Sequence, residues 1–308
     1  LLGSAIALKL LFGLPLAIGV CLTAADVFLL LFLQHKGFRY IEALVIMLVS
    51  TIGVCFGLEL LFSQPDVGQI ALGMVPRLEI LQNQEMLYLA IGILGATVMP
   101  HNLYLHSAIV QTRRWDITPQ KKWEAIKFGT LDSTLALSLA LLINSAILIV
   151  SAATFHTSGH HHVAEIQDAY QLLSPLLGVS AASAIFGIAL LASGQSSTLT
   201  ATLAGQIVME GFLQLRMPSW LRRLATRLVA IIPALIAIVV YGENSTGKLL
   251  VFSQVILSLQ LSFAVVPLVL FTSDRRIMGE FVSPRWLQYL AWIVTLTIVG
   301  LNLWLLIR

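Results

Sequence analysis

The sequence predicts an all-α polytopic membrane protein, and three observations carry that expectation. Apolar residues make up 58% of the chain against 11% charged, at a mean hydropathy of +0.90, and soluble domains with a charged surface do not reach such proportions. The apolar residues fall into runs of about 20, the length an α-helix needs to cross the hydrocarbon core of a bilayer. The basic residues collect in alternate connections between those runs, as they do when such connections face the cytoplasm. Within a bilayer every backbone N–H and C=O has to be satisfied inside its own segment, so runs of this kind are read as helices.

Taken in order, the opening stretch LLGSAIALKLLFG is apolar but too short to span. It shows no charged n-region or cleavage site, so it is not expected to be a signal peptide. Eight spans are expected after it, at Leu14–Leu33, Tyr40–Phe62, Leu87–Gln111, Phe128–Phe155, Ser180–Phe212, Trp220–Tyr241, Leu249–Thr272 and Trp286–Ile307. Residues 1–308 read as a single transmembrane domain. One set of loops carries fourteen Lys and Arg, among them Arg113, Arg114, Lys121 and Lys122, while the intervening set offers only Arg77 and Lys248. The first set is therefore cytoplasmic. This bias accounts for the net charge of +3 and the pI near 9.0, so no nucleic-acid partner is implied. Cys21 and Cys55 lie in apolar runs with neither disulfide nor zinc spacing.

Several polar features inside this frame have ordinary explanations. Val163–Leu177 is too polar to span but places Ile166, Tyr170 and Leu173 at helical spacing, which predicts an external amphipathic helix. The preceding His160, His161 and His162 read as a solvated loop, because consecutive side chains point in different directions. The small and hydroxylic run GQSSTLTATLAGQ suits close helix packing, and no role is assigned to Gln195 within it. Asp132, near a cytoplasmic end, and the deeper Asn144 read as structural, the latter through an interhelical hydrogen bond. In the span VFSQVILSLQLSFAVVPL, Gln254 and Ser258 stand four apart on one face, and Gln260 points elsewhere.

The stretch Ala90–Arg114, AIGILGATVMPHNLYLHSAIVQTRR, does not read as a plain span. Pro100 has no N–H for the carbonyl four residues back, which frees that of Ala96. A free carbonyl at bilayer depth belongs where protein, water or an ion takes it up. If the helix stays regular to the break, the Met99 thioether shares the Ala96 face. Sulfur suits transition metals and is poorly matched to Mg²⁺ or Ca²⁺. Two readings stand at this point: a metal site, or a packed Pro kink with Met as filler. The intramembrane pair His101 and His106 favours a functional one, since ionisable groups at depth are costly.

The string GATVMPHNLYLHS resembles the sixth-helix signature of the Nramp family, the proton-coupled divalent metal transporters that include bacterial manganese importers. The resemblance continues through LLGSAIAL, LFSQPDV, TLAGQIVMEGF, SQVILSLQLSFAVVPL and FTSDRRIMGEF. It implies a LeuT-like inverted-repeat helix bundle, of which this chain resembles helices four to eleven and the end of helix three. It also implies that upstream sequence would add about three helices, the first with an Asp-Pro-Gly-Asn motif, and that residues 1–308 alone would not transport. By resemblance, metal ligands fall on Ala96, Met99 and Gln254, and proton coupling on His101 and Arg113. A His with an ordinary pKa near 6.5 suits a proton carrier, while Arg113 also reads as a positive-inside anchor. The implied protein is a transporter and no enzyme. It is monomeric, sits in the inner (plasma) membrane and needs no cofactor; its substrate is Mn²⁺ or Fe²⁺, and its other partners are protons and lipid. Two further readings remain: an amino-acid or osmolyte transporter of the same architecture, and a membrane fragment without transport.

Overall fold

The computed structural model describes residues 1–25, 38–75, 77, 79–112, 118–160, 163, 165–212, 219–241 and 246–307. Among these residues the regular structure is helical throughout: α1 (Leu2–Phe12), α2 (Leu16–Ala24), α3 (Phe38–Ser63), α4 (Val67–Gly73), α5 (Glu79–Gln82), α6 (Gln84–Thr97), α7 (Pro100–Thr112), α8 (Pro119–Ser151), α9 (Ile166–Leu177), α10 (Ala182–Phe212), α11 (Ser219–Tyr241), α12 (Thr246–Ser273), α13 (Arg275–Met278) and α14 (Arg285–Ile307). A π-helical turn, Ala152–His156, extends α8.

Among the described residues six stretches are long and apolar enough to cross a membrane: Arg39–Ser63, Gln84–Gln111, Pro119–His156, Ala182–Met209, Gly247–Ser273 and Arg285–Ile307. They match six of the eight expected spans. The span expected at Trp220–Tyr241 is helical as α11, with a shorter apolar stretch at Ile231–Val240. That expected at Leu14–Leu33 begins as α2, and its second half lies outside the described residues. Apolar side chains such as Ile46, Leu137, Val239 and Phe263 are exposed along these helices, as lipid-facing residues must be.

The helices fall into two compact units, Leu1–Val75 with Leu131–Gly247, and Pro76–Thr130 with Lys248–Arg308. The first is built on the long helix α10, against which α3 and α1 pack. On one side Ile52, Cys55 and Phe56 of α3 meet Ala189 and Ala192, and the Phe56 and Phe186 rings stand edge to face at 6.3 Å. On the other, Gly194 lies directly against the Ser4 backbone, an approach that any Cβ would block. The hydroxyls of Thr198, Thr200 and Thr202 donate to carbonyls four residues back along α10. That satisfies them within their own helix and supports packing as the use of this polar run. The amphipathic α9 buries Leu173 with Phe155 and Ala182. Glu165, just before it, accepts the Gly247 N–H at 3.1 Å. Of the adjacent histidines only His160, which is exposed, is described. Asp132 is exposed, and so is Asn144, whose expected interhelical hydrogen bond is not found among the described residues.

The second unit has its core where Leu87 and Ile91 of α6 meet Val255 of α12, with Leu301 and Leu305 of α14 packed against them. Ser258 and Asn302 tie α12 to α14 by a reciprocal pair. The Ser258 hydroxyl donates to Asn302 Oδ1 and Asn302 Nδ2 donates to the Ser258 carbonyl, both at 3.1 Å. Both residues are buried, so losing one strands the other in an apolar seam. We expect Asn302→Ala to cost about 1–2 kcal/mol, the sum of modest interhelical bonds and one orphaned hydroxyl. Thermal unfolding in detergent reads this, and a midpoint equal to that of the parent would contradict it.

Candidate metal site at a helix break

The break in the Ala90–Arg114 stretch lies in the second unit. Helix α6 starts on an Asn83 cap, whose side chain accepts the Glu85 and Met86 N–H groups at 2.9 and 3.2 Å. It ends at Thr97. Val98 leaves helical geometry at φ −115° and ψ 86°, its N–H still bonded to the Leu94 carbonyl. Met99 is non-helical, and Pro100 opens α7 at the first helical position, where a missing N–H costs nothing. The Met99 carbonyl then accepts the Asn102 N–H at 3.0 Å.

The condition for Ala96 and Met99 to share a helical face is therefore not met, because α6 stops two residues before Met99. The physical reason lies in the residue preceding Pro100, which is driven out of the α region by the proline ring. The break thus falls upstream of the proline. What it leaves is the carbonyl end of α6, including Ala96, with no N–H from Pro100 to take it up. Helix C-termini carry partial negative charge and attract cations, and broken membrane helices use such ends to hold cations.

Ala96 is exposed, Met99 and His101 are half-buried, and His106 is exposed. On α12, Gln254 is half-buried with its Oε1 shielded and, among the described residues, without a hydrogen-bond partner, while Nε2 donates to Ser253 Oγ at 3.2 Å. An amide oxygen in that condition is an open position for a cation. Ser258, four residues on, has a different use in the bond to Asn302. The structure brings the helices that carry the candidate ligands together at the backbone: a Cβ on Gly95 would overlap the Gln254 carbonyl. Arg113 lies outside the described residues.

Among the described residues no three His, Cys, Asp or Glu side chains gather as a metal site. The candidate set is instead a carbonyl, a thioether and an amide. Three neutral donors leave a divalent charge uncompensated, so this set calls for carboxylates from elsewhere. Two features escaped the sequence reading. Gly95 had a signal in standing three residues from Gly92 on the same helical face, since small residues let membrane helices approach closely. Glu59, an acid inside the apolar α3, also had one by the cost of ionisable groups at depth.

The family model described as natural resistance-associated macrophage protein-like, Nramp, matches residues 1–308. The chain belongs to the Nramp family. Relatives include proteins named divalent metal cation transporter MntH. That of Nostoc sp. is 78% identical over 308 residues, covering all of this chain and 70% of its own length. That of Listeria monocytogenes is 62% identical over 305 residues, covering 99% and 68%. A crystal structure of the Eremococcus coleocola manganese transporter superposes with a TM-score of 0.83 at 38% identity, covering 99% of this chain and 66% of that one. The chain thus spans about two thirds of the length of the relatives it matches. The Nramp fold of these helices is the LeuT-like bundle implied by the GATVMPHNLYLHS string.

Proposed function

We propose that this Nramp chain is the part of a secondary transporter that carries one half of a divalent metal site, importing Mn²⁺ or Fe²⁺ with protons by alternating access across the plasma membrane. The observation that carries the reading is the helix break at Val98–Met99, which leaves the Ala96 carbonyl without an N–H from Pro100 on a helix whose backbone touches that of Gln254. The MntH name of the relatives and the manganese transporter title of the structural match support it. In this reading the Ala96 carbonyl, the Met99 sulfur and Gln254 Oε1 take the ion after it sheds water. Carboxylate ligands come from a partner helix. His101, in the first turn after the break, carries a proton near the ion without being a ligand, and Arg113 serves the same proton route.

The test is Mn²⁺ uptake into proteoliposomes by the protein extended to the length of its relatives, with and without an inward proton gradient. Uptake that ignores the gradient would remove the coupling, and uptake of an amino acid in place of Mn²⁺ would remove the metal reading. We further expect His101→Gln to flatten the pH dependence of uptake while changing Mn²⁺ affinity less than threefold, about 0.6 kcal/mol. A large loss of affinity at unchanged pH dependence would make His101 a ligand instead.

A further inference from the structure

We infer that Gly95 is a positioning residue for the metal site: its missing side chain sets the distance between the broken helix α6 and Gln254. The inference rests on the proposed ligand role of Gln254. An ideal Cβ at Gly95 would run into the Gln254 carbonyl oxygen, and would stand 2.9 Å from the Gln254 carbonyl carbon and from the Ser258 nitrogen. All three are backbone atoms of α12, so no rotamer change relieves the overlap. The neighbouring Gly92 differs. A Cβ there would meet Val251 Cγ1 at 3.4 Å, Val255 Cγ2 at 3.6 Å and the Val251 carbonyl oxygen at 3.8 Å, all ordinary contact distances.

The close approach therefore happens at one level of the α6–α12 seam, and that level is the site. Gly95 precedes Ala96, whose carbonyl Pro100 leaves free, and it touches the residue whose Oε1 is shielded and unpartnered. Restoring normal contact after adding a methyl group requires the two helices to separate by on the order of 1 Å. Coordination distances tolerate only about 0.2 Å. A single methyl at Gly95 thus moves Gln254 out of reach of an ion held at the Ala96 carbonyl, although Gly95 itself touches no ion.

The experiment is a double-mutant cycle on Mn²⁺ binding, measured calorimetrically on the detergent-purified protein extended to the length of its relatives. Gly95→Ala is expected to weaken Mn²⁺ about tenfold, the size typical of losing a group that orients a ligand, and Gly92→Ala to bind as the parent does. In a Gln254→Ala background, Gly95→Ala is expected to bring no further loss, because the ligand it displaces is already gone. An equal loss in both backgrounds, or none in either, overturns the inference, as does an equal loss from Gly92→Ala. Should Gly95→Ala fail to fold, Val251→Phe wedges the same seam from the α12 side, and the same dependence on Gln254 is expected. Independence from Gln254 there overturns it equally. If Gln254→Ala alone binds Mn²⁺ as the parent does, the ligand assignment has failed, which is a separate result.

Discussion

Replacing Met99 with Ala is expected to weaken Mn²⁺ on the order of tenfold and to let Ca²⁺ compete where it does not compete with the parent. Mn²⁺ and Ca²⁺ both accept carboxylate, carbonyl and water oxygens, so a site made only of oxygen separates them poorly. A thioether changes the comparison. It offers a transition metal a useful bond and gives Ca²⁺ almost nothing in exchange for the water it displaces. Met99 sits in the non-helical link between α6 and α7, half-buried, where neither helix dictates its rotamer. Uptake of Mn²⁺ by the extended protein, with and without excess Ca²⁺, reads the difference. If Ca²⁺ inhibits mutant and parent alike, Met99 is packing, and the site loses its source of discrimination.

Glu59→Met is expected to raise the stability of the protein by about 1–3 kcal/mol, the cost usually attached to a buried polar group without partners. Glu59 is fully buried in α3, and among the described residues neither carboxylate oxygen has a hydrogen-bond partner. On its own helix the buried Cys55 and Phe56 precede it. Of the helices packed against α3, α10 carries no charged residue from Ala182 to Met209, and α8 contributes the apolar Ile143 and Ala146. Methionine keeps the length and flexibility of the side chain while removing the polar atoms. Ala would leave a cavity and hide the gain, and Gln would keep polar atoms that need partners. Thermal unfolding in detergent is the measurement. A lower midpoint for Glu59→Met would mean that the carboxyl is satisfied in the folded protein, against the packing described here.

The class of this protein, most of its spans and its family were legible in the sequence, while the contacts around the candidate site were not. Hydropathy is a sum over one segment against one solvent, the bilayer, so α3, α8, α10, α12 and α14 could be read from their own residues. The same holds for the disruption near Pro100, because a missing N–H is a local fact. The position of the break was less local. Regular spacing placed Met99 on the Ala96 face, yet the chain leaves the helix at Val98, before the proline that causes it. Gln254 and Ser258 illustrate the limit most clearly, since four-residue spacing gives them one face and nothing in α12 tells them apart. Asn302, 44 residues further on, claims Ser258 by hydrogen bonds, and Gly95, on the far side of the sequence, reaches the Gln254 backbone. Sequence determines what each helix prefers to bury. Only the packed structure decides which neighbour it is buried against, because that choice depends on the shape and donors of segments remote in the chain.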